Sequence, residues 1–225
     1  MAHELGVLGS VLDNPRKPFV AVLGGAKVGD KIAVLQNFAK MVDALIVGGG
    51  MAATFLRAKE LEVGESLVEA DMIEAAGNLI RTAGEEGLKL LLPEDLIVTD
   101  SFRADAQRRV VKADGIPAGW RIMDIGPRTA SSYESALAQA KTVVWNGPMG
   151  VSEWGPFAEG TNRVAKTIAG LADATTVIGG GSTAEVVAGL DLDGKMTHVS
   201  TGGGASLKYL EGGDLPGVTT LMNRS

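Results

Sequence analysis

TTVIGGGSTAEVV, residues 175–187, passes from an apolar, β-branched run through three glycines into a helical pattern that follows Ser182. The run is continuously apolar rather than alternating, as a strand buried on both faces requires. Read as strand, glycine turn and helix, this stretch recurs along the chain. FVAVL (19–23), ALIV (44–47), KLLL (89–92), TVVW (142–145) and THVS (197–200) are the other strand candidates. Between them lie helical patterns at 30–40, 69–84, 131–140 and 156–171, and a first helical period spans 2–12. Such a rhythm predicts an α/β fold, a three-layer Rossmann-like and mostly parallel β-sheet with helices on both faces. The less regular stretch 97–125, with its Asp, Gly and Pro, is expected to be a short antiparallel excursion.

Composition fits one large domain. The 225 residues are 45% hydrophobic, enough for a substantial core, and the net charge of -6 argues against a nucleic-acid or anionic-membrane surface. Cysteine is absent, which removes disulfides, thiolate metal sites and a cysteine nucleophile, and a reducing cytoplasm is the expected compartment. With His3 and His198 the only histidines, a multi-histidine metal centre is not expected. No apolar stretch reaches the roughly 18 residues that span a bilayer, and the start MAHELGVLGS lacks the order of a signal peptide. Glycine is the outlier, with 31 residues against about 7% in average usage.

The glycines gather where strands end. GGAK (24–27), GGGMA (48–52), NGPMG (146–150), GGGST (179–183) and TGGGAS (201–206) each follow a strand candidate. In parallel α/β sheets ligands bind at those carboxyl ends, and glycine there brings backbone N–H groups and helix N-termini to an anion. Tight turn geometry alone also explains glycine in such turns, and the two explanations stay open. A P-loop is excluded, because no lysine follows glycines at its spacing. Gly48-Gly49-Gly50-Met51-Ala52-Ala53 fits the dinucleotide pattern GxGxxA, with Glu69 or Asp71 near the place of a ribose-binding acid, but the pattern recurs at 179–184 and discriminates poorly. Lys27 and Lys31 stand four apart after the first strand, so both ammonium groups are expected to face one point above the sheet, as phosphoryl transfer needs. Two ordinary lysines on an exposed helical turn are the alternative.

PFVAVLGGAKVGDKI (18–32), LIVGGGMAATFL (45–56), DIGPRT (124–129), VVWNGPMGV (143–151), FAEGT (157–161), VIGGGSTAEVV (177–187) and HVSTGGGASLKYLEG (198–212) occur in an order and spacing that resembles phosphoglycerate kinase. The resemblance covers 18–218. It implies the nucleotide-binding C-terminal domain over 16–225, an interdomain-type helix over 1–15, and LPGV (215–218) near the natural C-terminus. The parent reaction it implies moves the acyl phosphate of 1,3-bisphosphoglycerate to ADP, giving 3-phosphoglycerate and ATP, with magnesium bound to the nucleotide. The N-terminal half, which in the family holds the phosphoglycerate and supplies an arginine, has no counterpart in the sequence. The chain alone is therefore expected to be a monomer that binds ADP or ATP and turns over poorly. A non-catalytic nucleotide-binding module and an NAD-dependent oxidoreductase domain are the rival readings.

By the same resemblance, Lys27 contacts the transferred phosphoryl group and Lys31 the nucleotide phosphates, with Gly25 and Ala26 beside them. Asn146 donates to a phosphate or fixes its loop, and Glu153, between Val151 and the second tryptophan of that motif, accepts from the ribose. Gly48, Gly49, Met123, Pro148 and Gly150 border the adenine slot, while Gly202, Gly203 and Gly204 present N–H groups to the migrating phosphate. Gly179, Gly180, Gly181, Ser182 and Thr183 cradle the remaining phosphates. The surroundings of Met123, GWRIMD, match the family loosely, and Trp120, Trp145 and Trp154 read as packing residues. Where the family usually has aspartate as the magnesium ligand, this chain has Ser182, a poorer anchor for a hard cation. Ser182 or Thr183, weakly or through water, Glu185 one turn on, or the nucleotide phosphates alone are the possible holders, and Ser182 itself is expected to cap the helix.

Overall fold

A computed structural model describes residues 14–200. The expected helix over 2–12 and the triplet Gly202–Gly204 lie outside the described residues. A six-stranded sheet has the order β3-β2-β1-β7-β8-β9, with β1 Phe19–Leu23, β2 Ala44–Val47, β3 Lys89–Leu91, β7 Thr142–Asn146, β8 Thr175–Gly179 and β9 His198–Ser200. Every pairing in it is parallel. Strand order reverses between β1 and β7, the switch point beside which ligands usually bind in doubly wound sheets.

Alternation of side chains sends each strand into two cores. Phe19, Ala21 and Leu23 of β1 pack with Val34, Leu35 and Phe38 of α1 (Ile32–Ala39) and with α2 (Ala52–Ala58) and α3 (Ile73–Glu86) on one face. Val20 and Val22 pack on the other, with Trp145 and with α4 (Pro127–Leu137), α5 (Glu159–Ala169) and α6 (Gly181–Gly189). Burial of both faces is why these strands read as unbroken apolar runs. Each fully buried Leu, Ile or Phe contributes about 1.5–3 kcal/mol over its exposed state.

The expected excursion is a second sheet, order β5-β4-β6, built from β4 Asp95–Thr99, β5 Arg108–Lys112 and β6 Arg121–Ile125 in antiparallel pairing. It covers its own small core around Leu56, Val63, Leu96 and Val98. Its pairing skips Met123, since Val98 opposes Ile122 and Ile97 opposes Asp124.

Helix starts differ from the sequence reading for identifiable reasons. α4 begins at Pro127, earlier than the expected 131, because the buried Asp95 carboxylate accepts from Arg128 and Thr129 N–H at 3.1 and 2.7 Å. A distant side chain therefore caps it, with proline at the favoured first position. α3 begins at Ile73, not at 69, because the Glu69 carboxylate is drawn off to the backbone N–H groups of Val28 and Gly29. Among the described residues no helix is long and apolar enough to cross a membrane.

Candidate functional site

The carboxyl ends of β1, β2 and β7 are stitched together through backbone. Gly24 N–H donates to Asn146 O at 3.0 Å, Gly25 N–H to Pro148 O at 2.9 Å, and Gly49 N–H to Met149 O at 3.0 Å. The approach is too close for side chains. A Cβ on Gly24 would lie 2.2 Å from Pro148 O, and one on Gly49, at φ +70°, would lie 2.5 Å from Gly25 N. For Gly24, Gly48, Gly49 and Gly147 the tight-turn explanation of glycine thus holds, since their neighbours are protein atoms. Gly181 differs, with open space where a Cβ would go.

Lys31 departs from the expectation. α1 begins only at Ile32, so Lys27 and Lys31 do not share a helical face. Lys27 is exposed at the sheet edge, whereas the Lys31 ammonium is buried beneath the loops, donating to Gly24 O at 2.5 Å and Asn146 O at 3.1 Å. Burial lowers its pKa to about 8, against a smaller opposing pull from Asp30. Lys31 therefore ties the β1 loop to the β7 loop.

Above these loops opens a cleft of about 740 Å³, within the range of small-molecule sites. Of the expected site residues, Gly25, Ala26, Met123, Pro148, Gly150, Val151, Glu153 and Ser182 line it. Lys27, Lys31, Gly48, Gly49, Gly179, Gly180, Gly181 and Thr183 do not; Thr183 is buried, its hydroxyl accepting from Gly147 N–H at 2.7 Å. Asn146 lies just behind, 2% exposed, and its Nδ2 has no hydrogen-bond partner. That amide faces the turn after β8, where a Cβ on Gly179 would be 3.1 Å away. A buried donor without an acceptor costs about 1–3 kcal/mol, and a ligand oxygen in the turn would relieve it.

Leu67, Phe102 and Arg121 line the cleft without having been singled out from sequence. Leu67 and Phe102 are 57% and 56% exposed, a signal of function only once their place is known. Phe102 packs on Trp154 with centroids 4.8 Å apart, while Trp145 is fully buried and donates to Gly147 O, so both tryptophans pack as expected. Trp120 lies under the Arg109 guanidinium at 4.4 Å.

Asp124, in DIGPRT, is fully buried beside the cleft. Its carboxylate accepts from Ile125 N–H at 2.8 Å and Gly160 N–H at 2.9 Å, fastening the start of α5 under the loop that carries Glu153. Burial pushes its pKa up to about 7 despite those two hydrogen bonds.

Ser182 is the second residue of α6, and Gly180, at φ +94°, occupies the cap position without a side-chain hydrogen bond. The expected serine cap is therefore corrected, because the positive φ needed at the turn selects glycine there. Ser182 is free to face the cleft, and with Glu153 and Glu185 it lines an adjoining recess of about 310 Å³. Among the described residues no three acidic or histidine side chains gather into a metal cage. A hydroxyl with two carboxylates suits magnesium that arrives on phosphates with most of its waters, not an ion held by protein alone. Of the two acids in the Rossmann reading, Glu69 is engaged by the loop after β1 and Asp71 is exposed without lining the cleft or its recess.

A doubly wound sheet, a crevice at its switch point and loops of glycine and backbone N–H define a class of α/β domains that hold small anionic ligands. The family profile for phosphoglycerate kinase matches residues 1–213. The phosphoglycerate kinase of Chloroflexus aurantiacus is 53% identical over 99% of this chain and 56% of its own length, and that of Moorella thermoacetica is 51% identical over 100% and 57%. The solved structure of phosphoglycerate kinase from Coxiella burnetii superposes with a TM-score of 0.95 at 42% identity, covering 99% of this chain and 57% of that one. That from Pyrococcus horikoshii OT3 gives 0.84 at 33% identity, covering 99% and 56%. The chain belongs to the phosphoglycerate kinase family, and it spans about half the length of the relatives it matches.

Proposed function

We propose that these 225 residues form the nucleotide-binding half of a phosphoglycerate kinase, taking ADP or ATP with magnesium in the cleft above β1 and β7. The observation that carries this reading is the unpartnered Asn146 amide behind the β8 turn, beside a cleft lined in part by the apolar Leu67, Phe102, Met123 and Val151. Phosphates would sit over Gly25, Ala26 and the first turn of α6, with Asn146 donating from below and the α6 dipole adding to the attraction. Glu153 would accept from the ribose hydroxyls, and Met123, Pro148 and Val151 would flank the base. Lys27, exposed after β1, would meet the transferred phosphoryl group, a role the family resemblance shares with Gly202, Gly203 and Gly204. Magnesium would supply charge neutralisation of the phosphates, approached by Ser182 directly and by Glu185 through water.

Phosphoryl transfer depends mainly on positioning and charge stabilisation. This chain would fix one substrate of two, so 1,3-bisphosphoglycerate and 3-phosphoglycerate belong to a partner half, and turnover by the chain alone would be poor. A cytoplasmic monomer is the form in which this half would act. Calorimetric titration with ADP, with and without magnesium, tests the site. Binding strengthened by magnesium supports the reading; absence of ADP binding overturns it.

A further inference from the structure

We propose that Arg121 reads the base of the bound nucleotide and turns the cleft toward 6-oxopurines, guanine and hypoxanthine, over adenine. The inference rests on the proposed nucleotide site and adds to it the base that site selects. Arg121 opens β6, in the loosely matching stretch GWRIMD. Arg121, Ile122 and Met123 all line the cleft, and Ile122 packs in addition against the small core of the second sheet. Phosphate-seeking groups come from the β1 and β8 ends, Ala26 and Ser182, while Arg121 belongs to the antiparallel sheet, with apolar Phe102 and Leu67. The base therefore falls on the Arg121 side.

Arg121 is half-buried, and its Nε is fully shielded from water without a hydrogen-bond partner. No carboxylate among the described residues pairs with it, although Glu65 and Glu153 line the same cleft. Arg109, on β5 with β4 between it and β6, is occupied over Trp120, and Arg121 is the arginine that lines the cleft. A guanidinium carries donors only, in a planar fork, and demands acceptors in its plane. A 6-oxopurine offers two, O6 and N7, on one edge; adenine replaces O6 with an amino group whose hydrogens oppose the fork. The apolar walls hold the ring flat, so the edge alone differs between bases.

The test titrates the 225-residue chain with the magnesium complexes of ADP, IDP and GDP, for wild type, Arg121→Met and Arg121→Lys. IDP isolates the oxo group, because GDP adds an amino group at position 2. Wild type should bind IDP and GDP at least ~3-fold more tightly than ADP, and Arg121→Met should weaken both by about 10-fold while leaving ADP within about 2-fold. Arg121→Lys should recover part of the preference, and retained ADP binding reports an intact fold in each variant. Equal losses for all three nucleotides, from stacking or structural support, overturn the proposal, as does no change. If wild type binds ADP without base preference, only the role of Arg121 fails; if it binds no nucleotide, the site reading fails with it.

Discussion

Ser182 and Asp124 mark two ways in which one residue shapes this site. Serine in place of the family's usual aspartate leaves a hydroxyl to approach a hard cation that prefers carboxylate oxygen. Ser182→Asp should tighten ADP binding roughly 3- to 10-fold in magnesium and leave it unchanged without the metal. Calorimetry under both conditions checks this, and no magnesium-dependent gain would show that Ser182 is not the weak anchor. Asp124 presents the opposite problem, a carboxyl buried where its charge is poorly solvated. Its pKa is raised from 3.8 to about 7, chiefly by burial, so the folded chain holds a proton there that the unfolded chain releases. That difference stabilises the fold at low pH, and the contribution declines as pH rises from about 4 and is gone above about 7. Urea unfolding across that range should show the decline in wild type and a flatter profile in Asp124→Asn. Lys31 works in the other sense: its lowered pKa, about 8, makes its contribution grow as pH rises above 8 toward 10.5.

At the scale of elements, the turns after β1, β2 and β7 behave as one interlocked block. Gly147 has φ +96°, and a Cβ there would lie 2.3 Å from Gly24 O and 2.5 Å from the Lys31 ammonium. Gly147→Ala should therefore destabilise the chain by ~3 kcal/mol or more, lowering Tm by several degrees. Thr183→Val keeps the shape of α6 but orphans the buried Gly147 N–H, and about 1–3 kcal/mol should be lost in the same measurement. A Thr183→Val chain as stable as wild type would mean that the α6 anchor is not what holds the β7 turn. The same block explains which glycines sequence could not sort. Gly49 and Gly181 look alike in GGG triplets, yet one packs on backbone and the other faces open space.

At the scale of the whole molecule, the proposed reading leaves the second substrate to be brought by another body. Purified chain should show little or no phosphoryl transfer yet be stabilised by ADP, by about 2.7 kcal/mol at a hundredfold excess over Kd. Turnover measured with and without a separately produced N-terminal half checks the division of labour, and full activity in the chain alone would refute it. The sequence by itself determined the sheet strands, to within a residue at their ends, because strands buried on both faces leave continuous apolar runs bounded by glycine. It also determined the parallel character of the sheet, the antiparallel excursion and the family, because the motifs are local and long. Tertiary structure alone decided where the charges go. Lys31 turned inward to Gly24 and the distant Asn146, and Glu69 was taken by the loop after β1, about 40 positions away. It alone brought Leu67, Phe102 and Arg121 to the cleft, since their sequence neighbourhoods carry no pattern and their position depends on how the second sheet leans on the first. Periodicity along a chain encodes which face is buried; the partner of a polar group is set by folding, and no local spacing records it.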